Sequence, residues 1–300
     1  MAPRMEDDAT MLSLPTSQPN GVSHFRVGDL VVSAINDGIF EVTLDVMVNI
    51  DRSEAEKLQA SAFRRMPPRI TINAFLINDG KSLTLIDSGC GTIGGPAAGA
   101  VGRRLSALGV TASAITRVLV THMHIDHVSG LVDGEGKPLF PGAEIVVHEN
   151  EAKFWLGEMP SGASPALRDA FAIAQRGIGP YREQLRRVTG GEVAPGITLL
   201  PAPGHTPGHS AYAVQSAGES LLIWGDIVHM PGVQFANPAA GMAFDIDPAQ
   251  AQATRRRIFD MAASERARVA GMHLDFPTFG HVARAGAGYA FVPEVWYPDV

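Results

Sequence analysis

The chain has 300 residues, 45% of them hydrophobic and 18% charged, and a formal net charge of −7. A chain of this length buries roughly 75% of its unfolded surface, and the composition excludes global disorder and coiled coil. Net acidity argues against a nucleic-acid-binding surface, which needs clustered Lys and Arg. Residues 1–20 read as a flexible N-terminal arm, acidic where a secretion signal has a basic start, and residues 21–300 as a single domain. Short β-rich runs follow at 22–27, 30–35 and 39–44, with Asn36-Asp37-Gly38 as a hairpin turn between the last two. A helix is predicted over 51–65. Strands at 70–77 and 83–86 are joined by a second hairpin signal, Asn78-Asp79-Gly80. A Gly-rich segment precedes helical periodicity over 97–108, which Gly109 stops. The apolar run 117–121 reads as a buried strand, 144–147 as another, and 149–156 and 165–176 as helices. Strands at 197–200, 210–214 and 221–224, a helix over 248–263 and a strand at 268–271 complete the pattern. Arg255-Arg256-Arg257 reads as a solvated helix face.

A single cysteine, Cys90, allows no intrachain disulfide. No stretch of about 18 apolar residues is present to span a bilayer, so a cytoplasmic protein with no membrane partner is expected. The ten histidines carry the functional signal. Four ligand-type residues fall within six positions after the 117–121 strand: His122, His124, Asp126 and His127. A strand end followed by a turn can splay His122 and His124 toward one point and Asp126 and His127 toward a neighbouring one, which suits two metals. Three further apolar runs end in ligand types. The first leads to Gly204-His205-Thr206-Pro207-Gly208-His209, the second to Gly225-Asp226, the third to His273. In open α/β architectures ligands collect beyond strand ends.

This set of motifs resembles the metallo-β-lactamase fold superfamily. From His205 onward it is most similar to the methyl parathion hydrolase-like branch, which also contains lactone and aryl-ester hydrolases. The resemblance covers nearly the whole chain from about residue 25 and implies an α/β fold, the αββα sandwich, with a dinuclear site at one edge. It implies one metal on His122, His124 and His205, a second on Asp126, His127 and His273, and Asp226 bridging them. Asp87 then orients the metal loop, and His209 is a supporting or structural histidine. Two divalent ions per chain are expected. Zinc is the first expectation, and Mn, Co or Fe suit the same ligands. Homodimers are common in the branch, so a homodimer is expected by analogy.

Two cations about 3.5–4 Å apart can share a hydroxide and polarise a substrate oxygen. The expected chemistry is attack of that hydroxide on an ester or lactone carbonyl, with Asp126 relaying a proton to the leaving oxygen and Asp226 bridging as a catalytic ligand. No G-x-S-x-G nucleophile elbow occurs. Trp155 matches an aromatic at the cleft mouth of the branch, the alternative being a core aromatic on an amphipathic helix, and Phe171 is a second aromatic of that kind. Met47, Met242 and Phe244 are candidates for an apolar wall, each of which ordinary core packing would also explain. Two departures from the parathion-hydrolysing pattern stand out. Gly94 lies where those enzymes tend to place a phenylalanine, and His229 where they tend to have an aliphatic residue. His229 is a candidate for hydrogen-bonding a leaving oxygen or carbonyl, or for a packed supporting role. These features favour lactone and aryl-ester hydrolysis with phosphotriester hydrolysis as a side activity. The alternatives are a dedicated phosphotriesterase, and a non-catalytic metal-binding sensor on the same scaffold. Glyoxalase II-like thioesterases, true β-lactamases, RNA-processing nucleases and flavin-linked diiron relatives fit the short β-like tail, the acidity and the lack of a further domain less well.

Overall fold

The computed structural model describes Gln18 and residues 20–300, so the N-terminal arm lies, apart from those two positions in it, outside the described residues. In chain order the first half contains β1 (Val22–Val27), β2 (Leu30–Glu41), β3 (Met47–Val48), α1 (Arg52–Ser61), β4 (Arg69–Asn78), β5 (Leu83–Ile86) and α2 (Val101–Ala107). It continues with β6 (Ile115–Leu119), α3 (Ile125–Val128), β7 (Glu144–His148), α4 (Glu149–Trp155), α5 (Pro165–Ile178) and β8 (Leu185–Val188). The second half contains β9 (Gly191–Ala194), β10 (Ile197–Pro201), β11 (Ser210–Ser216), β12 (Glu219–Ile223), α6 (Pro231–Gln234) and β13 (Gly241–Met242). It ends with α7 (Pro248–Ser264), β14 (Arg268–Ala270), β15 (Gly280–Ala285) and β16 (Gly288–Pro293).

Two seven-stranded sheets run in the orders β1-β2-β4-β5-β6-β7-β8 and β16-β15-β14-β12-β11-β10-β9, and β3 pairs with β13. Strand alternation explains why the sheets stack. On β4, Ala74 and Leu76 join a core with Leu105 of α2 and Trp155 and Phe171 of the following helices. Phe75 and Ile77, pointing the opposite way, join Tyr212, Val214 and Ile223 of the second sheet. Successive residues of a strand face opposite sides, so each buried strand feeds two cores and reads as a continuous apolar run. Ile258, Phe259 and Ala262 of α7 cover the outer face of the second sheet against Leu222, Trp224 and Val269. The layers are helix, sheet, sheet, helix, the αββα sandwich of a metallo-β-lactamase fold. None of the helices among the described residues is long and apolar enough to cross a membrane.

Asn78-Asp79-Gly80 does turn the chain between β4 and β5, with the Asp79 carboxylate accepting from the N–H groups of Lys81 and Ser82. Asn36-Asp37-Gly38 is not a hairpin. β2 runs straight through it with a register shift between Asn36 and Gly38, and the actual turn is Gly28-Asp29 between β1 and β2. The reason is that Asp37 is buried and serves a distant loop. Its carboxylate accepts from the backbone N–H groups of Cys90, Gly99 and Val101, each at 2.9 Å. Those contacts hold 97–100 as a loop, so the predicted 97–108 helix is shortened to α2. The short polar strands β8 and β9 carry too little apolar pattern to be read from sequence.

The Arg255-Arg256-Arg257 run is divided. Arg256 and Arg257 face solvent, but Arg255 is buried. Its guanidinium donates to the carbonyls of Ile227 (2.7 Å), Ala240 (2.9 Å) and Pro238 (3.0 Å). The segment between β12 and β13 is mostly irregular, and its buried carbonyls need donors that no sheet supplies.

Candidate metal centre

The chemistry-bearing residues sit at the ends of four strands. β6 ends two residues before Thr121, and the following turn presents His122, His124 and, at the start of α3, Asp126 and His127. The turn before β11 carries His205, the segment after β12 carries Asp226, and the segment after β14 carries His273. Local sequence shapes these turns. Gly225 has φ +62°, and a Cβ there would lie 2.4 Å from Nε2 of His209, so only glycine lets the chain bend into Asp226 at this point.

The ligand-type atoms of His122, His124 and His205 lie within 4.8 Å of one another, as do those of Asp126, His127 and His273, of His122, His127 and Asp226, and of His205, Asp226 and His229. Nε2 of His205 is 3.2 Å from Nε2 of His122 and 3.0 Å from Nδ1 of His124. Five imidazoles surround Oδ2 of Asp226: His229 and His273 at 3.0 Å, His205 at 3.3 Å, His127 at 3.4 Å and His122 at 3.5 Å. Nε2 of His273 is also 3.4 Å from Oδ2 of Asp126.

The outward nitrogens are fixed by other groups. Nδ1 of His127 donates to Asp87 at 2.7 Å, Nδ1 of His205 to Asp245 at 2.7 Å and Nδ1 of His273 to the carbonyl of Thr71 at 2.7 Å. Nδ1 of His122 lies 3.1 Å from the Thr121 hydroxyl, which itself donates to Asp87 at 2.7 Å. The other ring nitrogen of His122, His127, His205 and His273 is therefore turned into the cluster, the orientation a metal-ligating imidazole requires, and a cation there would take the place of the proton that Asp126 and Asp226 favour on His127, His205 and His273. Burial pushes His122 and His124 well below the ordinary histidine range, which keeps both neutral. Burial alone would raise the carboxyls of Asp126 and Asp226, but the neighbouring His127 and His273 outweigh it and hold both low. Nε2 of His127 and Oδ1 of Asp226 are buried without a hydrogen-bond partner. Converging imidazole nitrogens, ionised carboxylates and two buried polar atoms without a partner form a set that fits divalent cations.

His209 is not turned into the cluster. Its Nδ1–H donates to the Ala202 carbonyl, and its Nε2 accepts from the backbone N–H of Asp226, both at 2.8 Å. His229 contacts Oδ2 of Asp226 through Nε2, its ring stacks on His273 at 4.9 Å, and its buried Nδ1 has no partner.

A cavity of about 430 Å³ opens onto the cluster at His124, Asp126, Asp226, His229 and His273. Its other walls are Phe40, Val42 and Ile70 from the first sheet, Phe244, and one face of α5, Ala166, Asp169, Ala170 and Ile173. A larger hollow of about 600 Å³ lies beside loop 91–100 and contains none of the cluster's side chains. Phe244 thus lies on the cavity wall. Phe171 faces away from it, into the core beside Trp155, with ring centroids 5.0 Å apart. Trp155 is fully buried and reaches the site only through its ring edge against His124. Met47 and Met242 face each other across the β3–β13 pair, inside a core with Leu44, Met230 and Val233. None of these four lines the cavity.

Three carboxylates escaped sequence reasoning: Asp37, Glu151 and Asp245. Glu151 is fully buried and accepts from the N–H of Met123 (2.8 Å), Nε1 of Trp155 (2.7 Å), the Thr206 hydroxyl (2.7 Å) and the N–H of Gly208 (2.9 Å). The signal for it was a carboxylate on the buried face of α4, beside Ala152 and one turn before Trp155. Asp245 holds His205 and accepts from the N–H of Met242 at 2.9 Å. It sits between Phe244 and Ile246, an acidic residue in an otherwise apolar run.

An αββα sandwich with a cluster of histidines and carboxylates at strand ends defines a class of metal-site proteins. The sequence profile of the Metallo-beta-lactamase superfamily matches residues 67–273, and the chain belongs to that superfamily. It is 31% identical to the crystal structure of AbOPH, a hydrolase in the beta lactamase superfamily, with a TM-score of 0.88 over 94% of this chain and 100% of that one. The fold is shared with AidC, described as a dizinc quorum-quenching lactonase in complex with an N-hexanoyl-L-homoserine product, at TM-score 0.87, 24% identity and 92% and 98% coverage. A probable metallo-hydrolase of Mycobacterium bovis is 30% identical over 146 residues, 43% of this chain and 42% of that protein. The chain therefore matches less than half the length of that curated relative.

Proposed function

We propose that the protein is a metal-dependent hydrolase that opens lactones and aryl esters, with phosphotriester cleavage as a slower side activity. The observation that carries this reading is the convergence of seven ligand-type side chains into one cluster, of which His124, Asp126, Asp226 and His273 line an apolar cavity. His122, His124 and His205 would hold one divalent cation and Asp126, His127 and His273 a second, with Asp226 between the two groups. When bound, such cations make water nucleophilic near neutral pH and polarise a carbonyl oxygen. Zinc is the proposed metal, and the dizinc description of AidC supports that choice.

The remaining work falls to the chain. The walls of Phe40, Val42, Ile70, Ile173 and Phe244 exclude water and accept an apolar acyl or aryl group. Asp126, ionised at the start, would take the proton that the attacking water's oxygen gives up once it has added to the carbonyl, and pass that proton to the leaving oxygen. His229 borders the cavity and stays neutral at neutral pH, because burial pulls it down to about 4 against the pull of Asp226. It steadies Oδ2 of Asp226 and leaves its Nδ1 lone pair free. A pocket of this size suits a small organic substrate, within the ~300–1,000 Å³ range of such sites.

Initial rates on dihydrocoumarin and methyl parathion, before and after chelation, test this reading. Fast, chelator-sensitive lactone opening and slow phosphotriester cleavage are expected, and His229→Leu should lower lactone turnover at least several-fold more than phosphotriester turnover. A reversed substrate order would make the protein a dedicated phosphotriesterase.

A further inference from the structure

We propose that Glu151 is a positioning residue that sets how tightly the His122, His124 and His205 group holds its metal, independently of the Asp126, His127 and His273 group. The inference rests on the metallohydrolase reading above.

Glu151 is fully buried, and no cation pairs with it among the described residues. Its charge is met by four donors instead, and each donor belongs to one metal group. Met123 lies between His122 and His124. Thr206 and Gly208 follow His205 in its turn. Trp155 places its ring edge on His124, with centroids 5.4 Å apart at 73°. Oε1 accepts from Met123 and Trp155, and Oε2 from Thr206 and Gly208. One carboxylate thus ties the turn after β6 to the turn before β11, the two turns that bring these three histidines together. The contact is close, since a Cβ on Gly208 would lie 2.1 Å from the backbone nitrogen of Glu151. Asp87, by contrast, reaches both groups, accepting from Nδ1 of His127 and from the N–H (2.8 Å) and hydroxyl of Thr121, the hydroxyl that also meets Nδ1 of His122.

Glu151→Gln preserves shape and removes one acceptor oxygen. Whichever way the amide lies, its NH₂ meets a backbone N–H, that of Met123 or that of Gly208, and one of the two turns must shift. The second carboxylate, Asp87, is untouched.

The test uses the full chain loaded with cobalt. Bound metal and the cobalt absorption spectrum are followed against rising chelator for the wild type, Glu151→Gln, Asp87→Asn and Trp155→Phe. Two equivalents are expected in the wild type. Glu151→Gln should release one equivalent at about 10–100-fold lower chelator, the usual cost of losing a group that orients a ligand, and hold the other within about three-fold. Asp87→Asn, which touches both groups, should loosen both equivalents and so serves as the contrast to Glu151→Gln. Trp155→Phe, which removes one donor and keeps the carboxylate, should show a smaller loss of the same equivalent as Glu151→Gln, and it carries the test if Glu151→Gln does not fold. Equal loosening of both equivalents by Glu151→Gln, or of neither, overturns the inference and leaves the hydrolase reading standing. A wild type that takes up no metal overturns both.

Discussion

His209 shows how one buried histidine can organise a centre without facing it. Its neutral ring bridges the Ala202 carbonyl and the Asp226 N–H, and burial, helped by the nearby His205, pulls it down to about 3. The sign of the resulting pH effect follows directly. Below the ordinary histidine value of about 6.5 the unfolded chain binds a proton that the folded ring refuses, so stability falls as pH drops from there. Each pH unit below that point costs up to about 1.4 kcal/mol from this one group. Urea midpoints should fall between pH 6.5 and 5, and His209→Gln should flatten that slope. An unchanged slope would mean that His209 does not stay neutral. At this scale the clustering of His122, His124, Asp126 and His127 was legible because short spacing after an apolar strand is itself a chemical statement. Glu151 was not, because its partners lie 28 and 55 residues away. The cavity wall was missed by one step of a helix: α5 turns Ala166, Ala170 and Ile173 toward the cavity and Phe171 toward the core.

Among the elements, those with strong periodicity or a local turn signal were readable, and those shaped by distant partners were not. The Asn78-Asp79-Gly80 turn is satisfied by its own carboxylate and formed as expected. Asn36-Asp37-Gly38 has the same composition, but Asp37 is spent on a loop more than 50 residues away, and the strand continues. Arg255 is the same lesson on a helix, where a charge pattern cannot announce that three loop carbonyls are waiting. Burial pulls its guanidinium down to about 10, and its hydrogen bonds brace the segment carrying Asp226 and His229. Arg255→Met should cost roughly 3 kcal/mol, since it strands buried acceptors. Chemical denaturation measures this directly, and a loss under about 0.5 kcal/mol, the range of ordinary surface substitutions, would show that the brace is idle.

For the whole molecule, the succession of strands and helices marked an α/β domain, and the resemblance to the metallo-β-lactamase superfamily implied its four layers. What stacking adds is the shared edge, where turns from both sheets meet. Neither sheet alone carries the full set of proposed ligands: His122, His124, Asp126 and His127 extend from the first, and His205, Asp226 and His273 from the second. The cluster is thus a property of the sandwich, and metal bound there would join its halves. The most direct measurement is a titration of chelated, metal-free protein with zinc, followed by dihydrocoumarin turnover and bound metal per chain. Turnover should be negligible without metal and should rise to a plateau at two equivalents per chain. Undiminished turnover in the metal-free protein, or saturation with no metal bound, would contradict the account.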